Sequence, residues 1–251
     1  METLSSRKNA HIRHLRELAA DGAYRRASGE YLCDGIKTLR EALRFGAEVR
    51  SVLWKERAET VEGLDGPKQY LAPAELFDYA SPMKNSPGPL FCVAIPEERE
   101  LPRLQSVLVL ENVQDPGNVG TVVRTANAFG IDAVILVGAC ADLYHPKTAR
   151  ATMGAIFRQR VLYRDLDGLC ELLKAQGLPL YGAALDERAK DVRSLDLHHA
   201  ALAVGSEGQG LSRELLARCD ETIIIPMRPD SESLNAAVAA SILMWEIARN
   251  G

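Results

Sequence analysis

Apolar residues recur along this chain in two rhythms. Five short runs are apolar at nearly every position: residues 107–110, 133–137, 178–183, 201–204 and 222–225. Between them the apolar residues fall three or four apart, as in Val119, Val122, Val123 and Ala126. The first rhythm predicts strands buried on both faces and the second predicts amphipathic helices. Strands of that kind separated by helices form a parallel sheet covered on each side.

The first hundred residues alternate less regularly. A helix is expected over about residues 6–20, and "EYLCDG" turns into "IKTLREALRFG". There Ile36, Leu39, Ala42 and Leu43 keep helical spacing up to Gly46. "VRSVLW", "KQYLA" and "LFCVAI" read as further strands. The polar, proline-bracketed "PEERELPR" is the best boundary. Two α/β domains are therefore expected, residues 1–100 and 101–251.

Composition narrows the class. With 47% hydrophobic and 25% charged residues in 251, this is an ordinary globular chain. The five cysteines are scattered and form no C-x-x-C, which favours reduced thiols over a disulfide framework or a cysteine-type zinc site. No metal is expected. The first twenty residues are charged, and no apolar run approaches membrane-spanning length, so a cytoplasmic location is expected.

The net charge of −4 gives no hint of a polyanion, but its distribution does. Residues 1–57 carry 12 Lys and Arg against 8 Asp and Glu. Residues 143–164 carry Lys147, Arg150, Arg158, Arg160 and Arg164 with no acid. A solvated face is one reading of such patches; contact with nucleic-acid phosphate is the other. On the second reading Arg13, Arg16, Arg25, Arg26, Lys147 and Arg150 are the candidate RNA contacts.

Ligands of parallel sheets gather at the carboxyl ends of the strands, so the loops there carry the chemistry. The stretch "SVLVLENVQDPGNVGTVVRTANAFG" has strand, turn and helix in the order of a nucleotide site. It has neither G-x-G-x-x-G nor a Walker sequence, and plants Asn112, Asp115, Asn118 and Arg124 instead. Asn118 can cap the helix or face a ligand, and Arg124 can form a buried ion pair or bind substrate. In "LAVGSEGQGLS", Gly205 ends a strand and Glu207 sits in a glycine turn that lets a ligand approach backbone. In "IIIPMRPDSESLNAAVAASILMWEI", Ser233, Leu234 and Asn235 open a helix that is apolar almost all round. Such a helix must be covered on more than one side, which favours a homodimer through residues 234–249.

Together these loops resemble the three signature motifs of the SpoU/TrmH family of RNA ribose 2′-O-methyltransferases, in the SPOUT superfamily. The resemblance rests on Asn118, Gly120 and Arg124; on Gly205, Glu207, Gly208 and Gly210; and on Pro226, Met227, Ser233, Leu234 and Asn235. Residues 1–100 resemble more loosely the small ribosomal-protein-like RNA-binding domain that many members carry. Ser206 and Arg228-Pro229 depart from the usual pattern, the latter in the segment expected to cover the cofactor. The resemblance implies an α/β fold whose C-terminal parallel-sheet domain is tied in a trefoil knot. It implies S-adenosylmethionine as cofactor, held around Gly205, Ile225, Met227 and Leu234. Asn118, Arg124, Glu207, Ser233 and Asn235 would then serve the RNA ribose, with ribosomal RNA favoured over transfer RNA.

Arg124's counterpart is held to be the base in this family. A guanidinium that stays protonated suits instead a phosphate clamp and a stabiliser of developing alkoxide. Two other readings are an RNA-binding module of the same fold without catalysis and a nicotinamide-dependent oxidoreductase. The second lacks its glycine fingerprint and a ribose-binding acid after the second strand.

Overall fold

The computed structural model describes residues 1–98, 100–186, 188–228 and 233–249. Pro229, part of the departure noted above, lies outside them. In chain order the elements begin with β1 (Glu2–Thr3), α1 (Ala10–Ala20), α2 (Gly22–Ser28), β2 (Glu30–Asp34) and α3 (Ile36–Arg44). They continue with β3 (Val49–Lys55), β4 (Lys68–Ala72), α4 (Ala74–Ala80) and β5 (Leu90–Ala94). Next come β6 (Ser106–Glu111), α5 (Pro116–Phe129), β7 (Ala133–Val137), α6 (Pro146–Ala151) and β8 (Val161–Arg164). The chain closes through α7 (Leu166–Gln176), β9 (Leu180–Ala183), β10 (Lys190–Asp191), β11 (Ala200–Val204), α8 (Arg213–Leu216), β12 (Glu221–Ile224) and α9 (Ala236–Ala248).

Two compact units result. The first comprises Met1–Glu97 with Asp142–Phe157, and the second Glu98–Ala141 with Arg158–Gly251. The first change of unit falls between Glu97 and Glu98. The expected split into 1–100 and 101–251 differs in one respect, because residues 142–157 leave the second unit and pack with the first.

The first unit is a five-stranded sheet in the order β1-β4-β3-β5-β2. β1, β4 and β3 run parallel, while β5 is antiparallel to both β3 and β2. Ile12, Leu15 and Leu18, spaced by three, turn one face of α1 onto this sheet and meet Leu32, Leu53 and Phe77. Each such fully buried side chain contributes roughly 1.5–3 kcal/mol.

The second unit is a seven-stranded sheet in the order β10-β12-β9-β11-β6-β7-β8. Every neighbouring pair in it is parallel. All six side chains of β6 and all five of β7 and of β11 are buried, as the apolar runs of β7 and β11 demand and with Ser106 and Glu111 enclosed at the ends of β6. β8 was not expected from the sequence: its "VLYR" has one buried residue, sits at the sheet edge, and reads as part of a basic run. At β6 the strand order turns back, with β7 on one side and β11 on the other. α9 packs on α5 and against β11 and β6, so the last helix returns to that central position. Among the described residues no helix is long and apolar enough to cross a membrane.

Candidate active site

The site is built where β6 and β11 end side by side. Their register pairs Val204 with Leu110 and brings Gly205 level with Glu111. Asp115, not Asn118, caps the following helix: it accepts from the Asn118 backbone N–H at 2.8 Å, and Pro116 takes the first helical position. The capping role open to Asn118 is thereby taken by Asp115. Standing inside the first turn, its side chain is released from capping. Its amide nitrogen donates to a carboxylate oxygen of Glu207.

The third motif joins the same pair. Asn235 caps α9, its Oδ1 accepting from the backbone of Ala237 and Val238 at 3.0 and 3.2 Å. Its Nδ2 donates to Asn118 Oδ1 at 3.1 Å. A directed chain of hydrogen bonds thus runs from the α9 amino terminus through Asn235 and Asn118 to Glu207. Each amide has one role only, because a flip of either would set donor against donor or acceptor against acceptor. The relay ends on an exposed carboxylate whose second oxygen can accept a hydroxyl.

The glycine turn has a physical reason beyond ligand approach. A Cβ on Gly205 would lie 2.0 Å from the Gly210 carbonyl carbon and 2.3 Å from the Leu211 nitrogen. The loop folds back on itself, with Gly210 N–H donating to Ser206 oxygen at 2.8 Å, and fills the space a side chain would need. Gly208, at the tip, has nothing within 4 Å of its would-be Cβ and stays open.

Arg124 and Ser233 stand apart from the relay. Arg124 is exposed, with no hydrogen-bond or ion-pair partner among the described residues. The buried ion pair allowed by the sequence is not formed. Six residues from Asn118, it lies about 9 Å further along α5 on another side of the helix. Ser233 is exposed and makes no bond to Asn118, Glu207 or Asn235. Ile225 and Met227, just past β12, and Leu234, just before α9, are half-buried. They offer apolar side chains and irregular backbone of the sort that can seat an adenosine and a methionine chain.

The sequence did not reveal the role of Glu111. It is buried, and its two carboxylate oxygens accept from the Ser212 backbone N–H and hydroxyl, each at 2.7 Å. That clamp ties the first loop's strand to the second loop. An acid closing an otherwise apolar strand was the available signal. Asn112, at φ 55°, similarly accepts from Ala139 N–H at 2.8 Å and fixes the neighbouring turn. Cys140 packs its thiol on the carbonyls of Leu110 and Val137, and burial raises its pKa, so it stays a neutral thiol rather than a nucleophile.

All six basic residues proposed for RNA lie in the first unit. Arg13, Arg16 and Arg26 are exposed on α1 and α2, and Lys147 and Arg150 are exposed on α6. Arg16 lies over the Tyr79 ring at 4.1 Å. Arg25 is a correction: it is 3% exposed, pairs with Asp142 at 2.6 Å and donates to Leu18 oxygen at 2.6 Å. Its guanidinium holds residues 142–157 in place and is not offered to phosphate.

Comparison with known proteins identifies relatives over almost the whole chain. The chain is 33% identical to the 23S rRNA (guanosine(2553)-2′-O)-methyltransferase of Bacillus subtilis over 98% of its own length and 99% of that protein. It is 28% identical to the 23S rRNA (uridine(2479)-2′-O)-methyltransferase of Streptomyces viridochromogenes, over 96% and 90% of the two chains. The crystal structure of the SpoU methyltransferase AviRb from that organism with AdoMet superposes with a TM-score of 0.84 at 26% identity, covering 96% and 98%. The SpoU rRNA Methylase family pattern matches residues 105–245, the whole stretch that supplies the relay. Carrying that pattern over more than half its length, the chain belongs to the SpoU rRNA methylase family.

Proposed function

We propose that this protein methylates a ribose 2′-hydroxyl of ribosomal RNA, with S-adenosylmethionine as the methyl donor. The observation that carries this reading is the Asn235–Asn118–Glu207 relay, which draws one residue from each of three distant motifs to a single place beside β6 and β11. The relatives named for 23S rRNA 2′-O-methylation support ribosomal RNA as substrate. S-adenosylmethionine supplies an already activated methyl group when bound. Gly205, Ile225, Met227 and Leu234 would hold it, and the protein's remaining task is to orient the hydroxyl and help remove its proton.

Glu207, kept in one orientation by Asn118, accepts from the ribose hydroxyl and aims its oxygen. Ser233 lies close in sequence to Asn235 and completes the ribose contacts. Arg124, exposed and without a competing acid among the described residues, clamps the adjoining RNA phosphate and stabilises charge developing on the 2′-oxygen. The proton leaves through phosphate or water, since a guanidinium does not accept one at ordinary pH.

Three larger-scale features accompany this reading. α9 buries one side within the protomer yet leaves Val238 47% and Trp245 53% exposed, beside a groove lined by Thr125, Phe129 and Ile242. A second copy covering that face gives a homodimer. The C-terminal segment is threaded as a trefoil knot, a rare exception to the avoidance of threaded chains, a reading supported by the return of α9 to α5 after the outlying β12. The first unit, with exposed Arg13, Arg16, Arg26, Lys147 and Arg150, binds the RNA, and the protein acts in the cytoplasm.

Calorimetry tests the cofactor assignment. S-adenosylmethionine or its demethylated product should bind with one site per chain and NAD should give no heat. Tight NAD binding without S-adenosylmethionine binding would overturn the reading.

A further inference from the structure

We propose that the first unit binds a divalent transition-metal ion of the zinc class through His14, Glu30 and Cys92. None of these residues takes part in the methyl-transfer site. β2 pairs with β5 so that Glu30 lies opposite Ala94 and Leu32 opposite Cys92. Because alternate residues share a face of a sheet, Glu30 and Cys92 project to the same side. α1 covers that side and lowers His14 onto them, with Nε2 3.0 Å from Glu30 Oε2. A ring nitrogen of His14, a carboxylate oxygen of Glu30 and Cys92 Sγ all lie within 4.8 Å of one another.

That spacing suits a tetrahedral ion. Bonds of about 2.0–2.3 Å to nitrogen, oxygen and sulfur place the donor atoms roughly 3.3–3.6 Å apart. Closing the cluster onto an ion therefore asks for shifts of about 1 Å, within the reach of side-chain rotation. The mixed imidazole, carboxylate and thiol set is one that zinc accepts readily.

Two further observations fit a metal better than a chance cluster. His14 Nδ1 lies 3.0 Å from the Tyr24 hydroxyl. Metal-bound imidazoles almost always have their second nitrogen held in this way, which fixes the tautomer and ring direction. One turn earlier, His11 has its ring 6.2 Å from that of His14, and its buried Nε2 has no hydrogen-bond partner among the described residues. The site also has an entrance: Cys92 is fully buried, whereas the side chains of His14 and Glu30 are 23% and 22% exposed. An ion would enter from solvent, settle against the thiol and keep a fourth position for water. On binding, the sulfur–metal bond forms as the Cys92 S–H bond breaks, and the proton passes to solvent. The ion would join α1 to β2 and β5, so its effect is on the stability of the first unit.

The experiment uses the full chain, stripped with a chelator and titrated with Co²⁺ as a spectroscopic probe. One equivalent should give tetrahedral visible bands and a near-ultraviolet thiolate-to-cobalt band, both bleached by Zn²⁺, and Zn²⁺ should raise the melting temperature. Cys92→Ser should remove the thiolate band, and His14→Gln and Glu30→Gln should weaken binding. Tyr24→Phe should weaken it by about 10–100-fold, and Cys170→Ala should change nothing. Circular dichroism checks that each variant folds. Since Cys92 is buried, Glu30→Gln and His14→Gln, at partly exposed positions, carry the decision if Cys92→Ser does not fold. A folded chain that shows no thiolate-to-cobalt band, or whose band survives both His14→Gln and Glu30→Gln, contradicts the proposal and leaves the cluster as a hydrogen-bond network.

Discussion

Arg124 and Arg25 show how differently two arginines can be used. Arg124 stands exposed on α5, so Arg124→Ala should shift stability by no more than about 0.5 kcal/mol. It should leave S-adenosylmethionine binding unchanged and abolish methyl transfer. Melting and calorimetry beside an activity assay check this, and a variant that unfolds would return Arg124 to a structural role. Arg25→Ala instead strips a buried partner from Asp142 and should cost about 3 kcal/mol, at the low end for a buried pair because the Asp142 side chain is 31% exposed. Arg26→Glu, on the surface of the same helix, should leave the melting temperature alone and weaken RNA binding. Denaturant titrations of both variants, together with RNA binding by the second, separate the two roles. The sequence could not tell Arg25 from Arg26, because the difference depends on Asp142, more than a hundred residues away.

At the scale of elements, the loop after β11 and the helix α9 give the sharpest expectations. Gly205→Ala forces a Cβ into the Gly210 backbone and should cost about 3 kcal/mol even without cofactor. Gly208→Ala, with open space around it, should stay within about 0.5 kcal/mol. Thermal melting of the free protein reads both, and equal stability of the two variants would contradict the account of the turn. For α9, Ala240 and Leu243 are fully buried inside the protomer, so glutamate there would unfold the chain rather than split a dimer. Val238→Glu and Trp245→Glu are the informative changes. Light scattering should show a dimer for the unaltered protein and folded monomers for these two. A monomer at micromolar concentration before any change would refute the dimer.

These elements were legible in the sequence to unequal degrees. The β7 bounds match the apolar run 133–137, because a strand buried on both faces leaves no polar interruption. The edge strand β8 was lost among arginines. Among the candidate site residues, Asn118, Glu207 and Asn235 were singled out through the resemblance of their loops, and the structure joins them by hydrogen bonds. The cap at Asp115 and the Glu111–Ser212 clamp were not legible, since each depends on which neighbour the folded backbone presents.

At the scale of the whole molecule, the two compact units follow chain connectivity less simply than the proline-flanked boundary suggested. Lys147 and Arg150 belong with the first unit, so the candidate RNA contacts gather on one unit and the Asn235–Asn118–Glu207 hydrogen bonds on the other. The His14–Glu30–Cys92 cluster had no signature at all, its members being dispersed over three elements. The central claim is a single reaction on ribose, and one measurement meets it directly. Ribosomal RNA from cells lacking this protein is incubated with the protein and methyl-labelled S-adenosylmethionine, and the product is mapped by its resistance to alkaline cleavage. The account predicts label at one ribose 2′-oxygen with the unaltered protein and none with Arg124→Ala. Label on a base, or no transfer by a protein that binds S-adenosylmethionine, would contradict it.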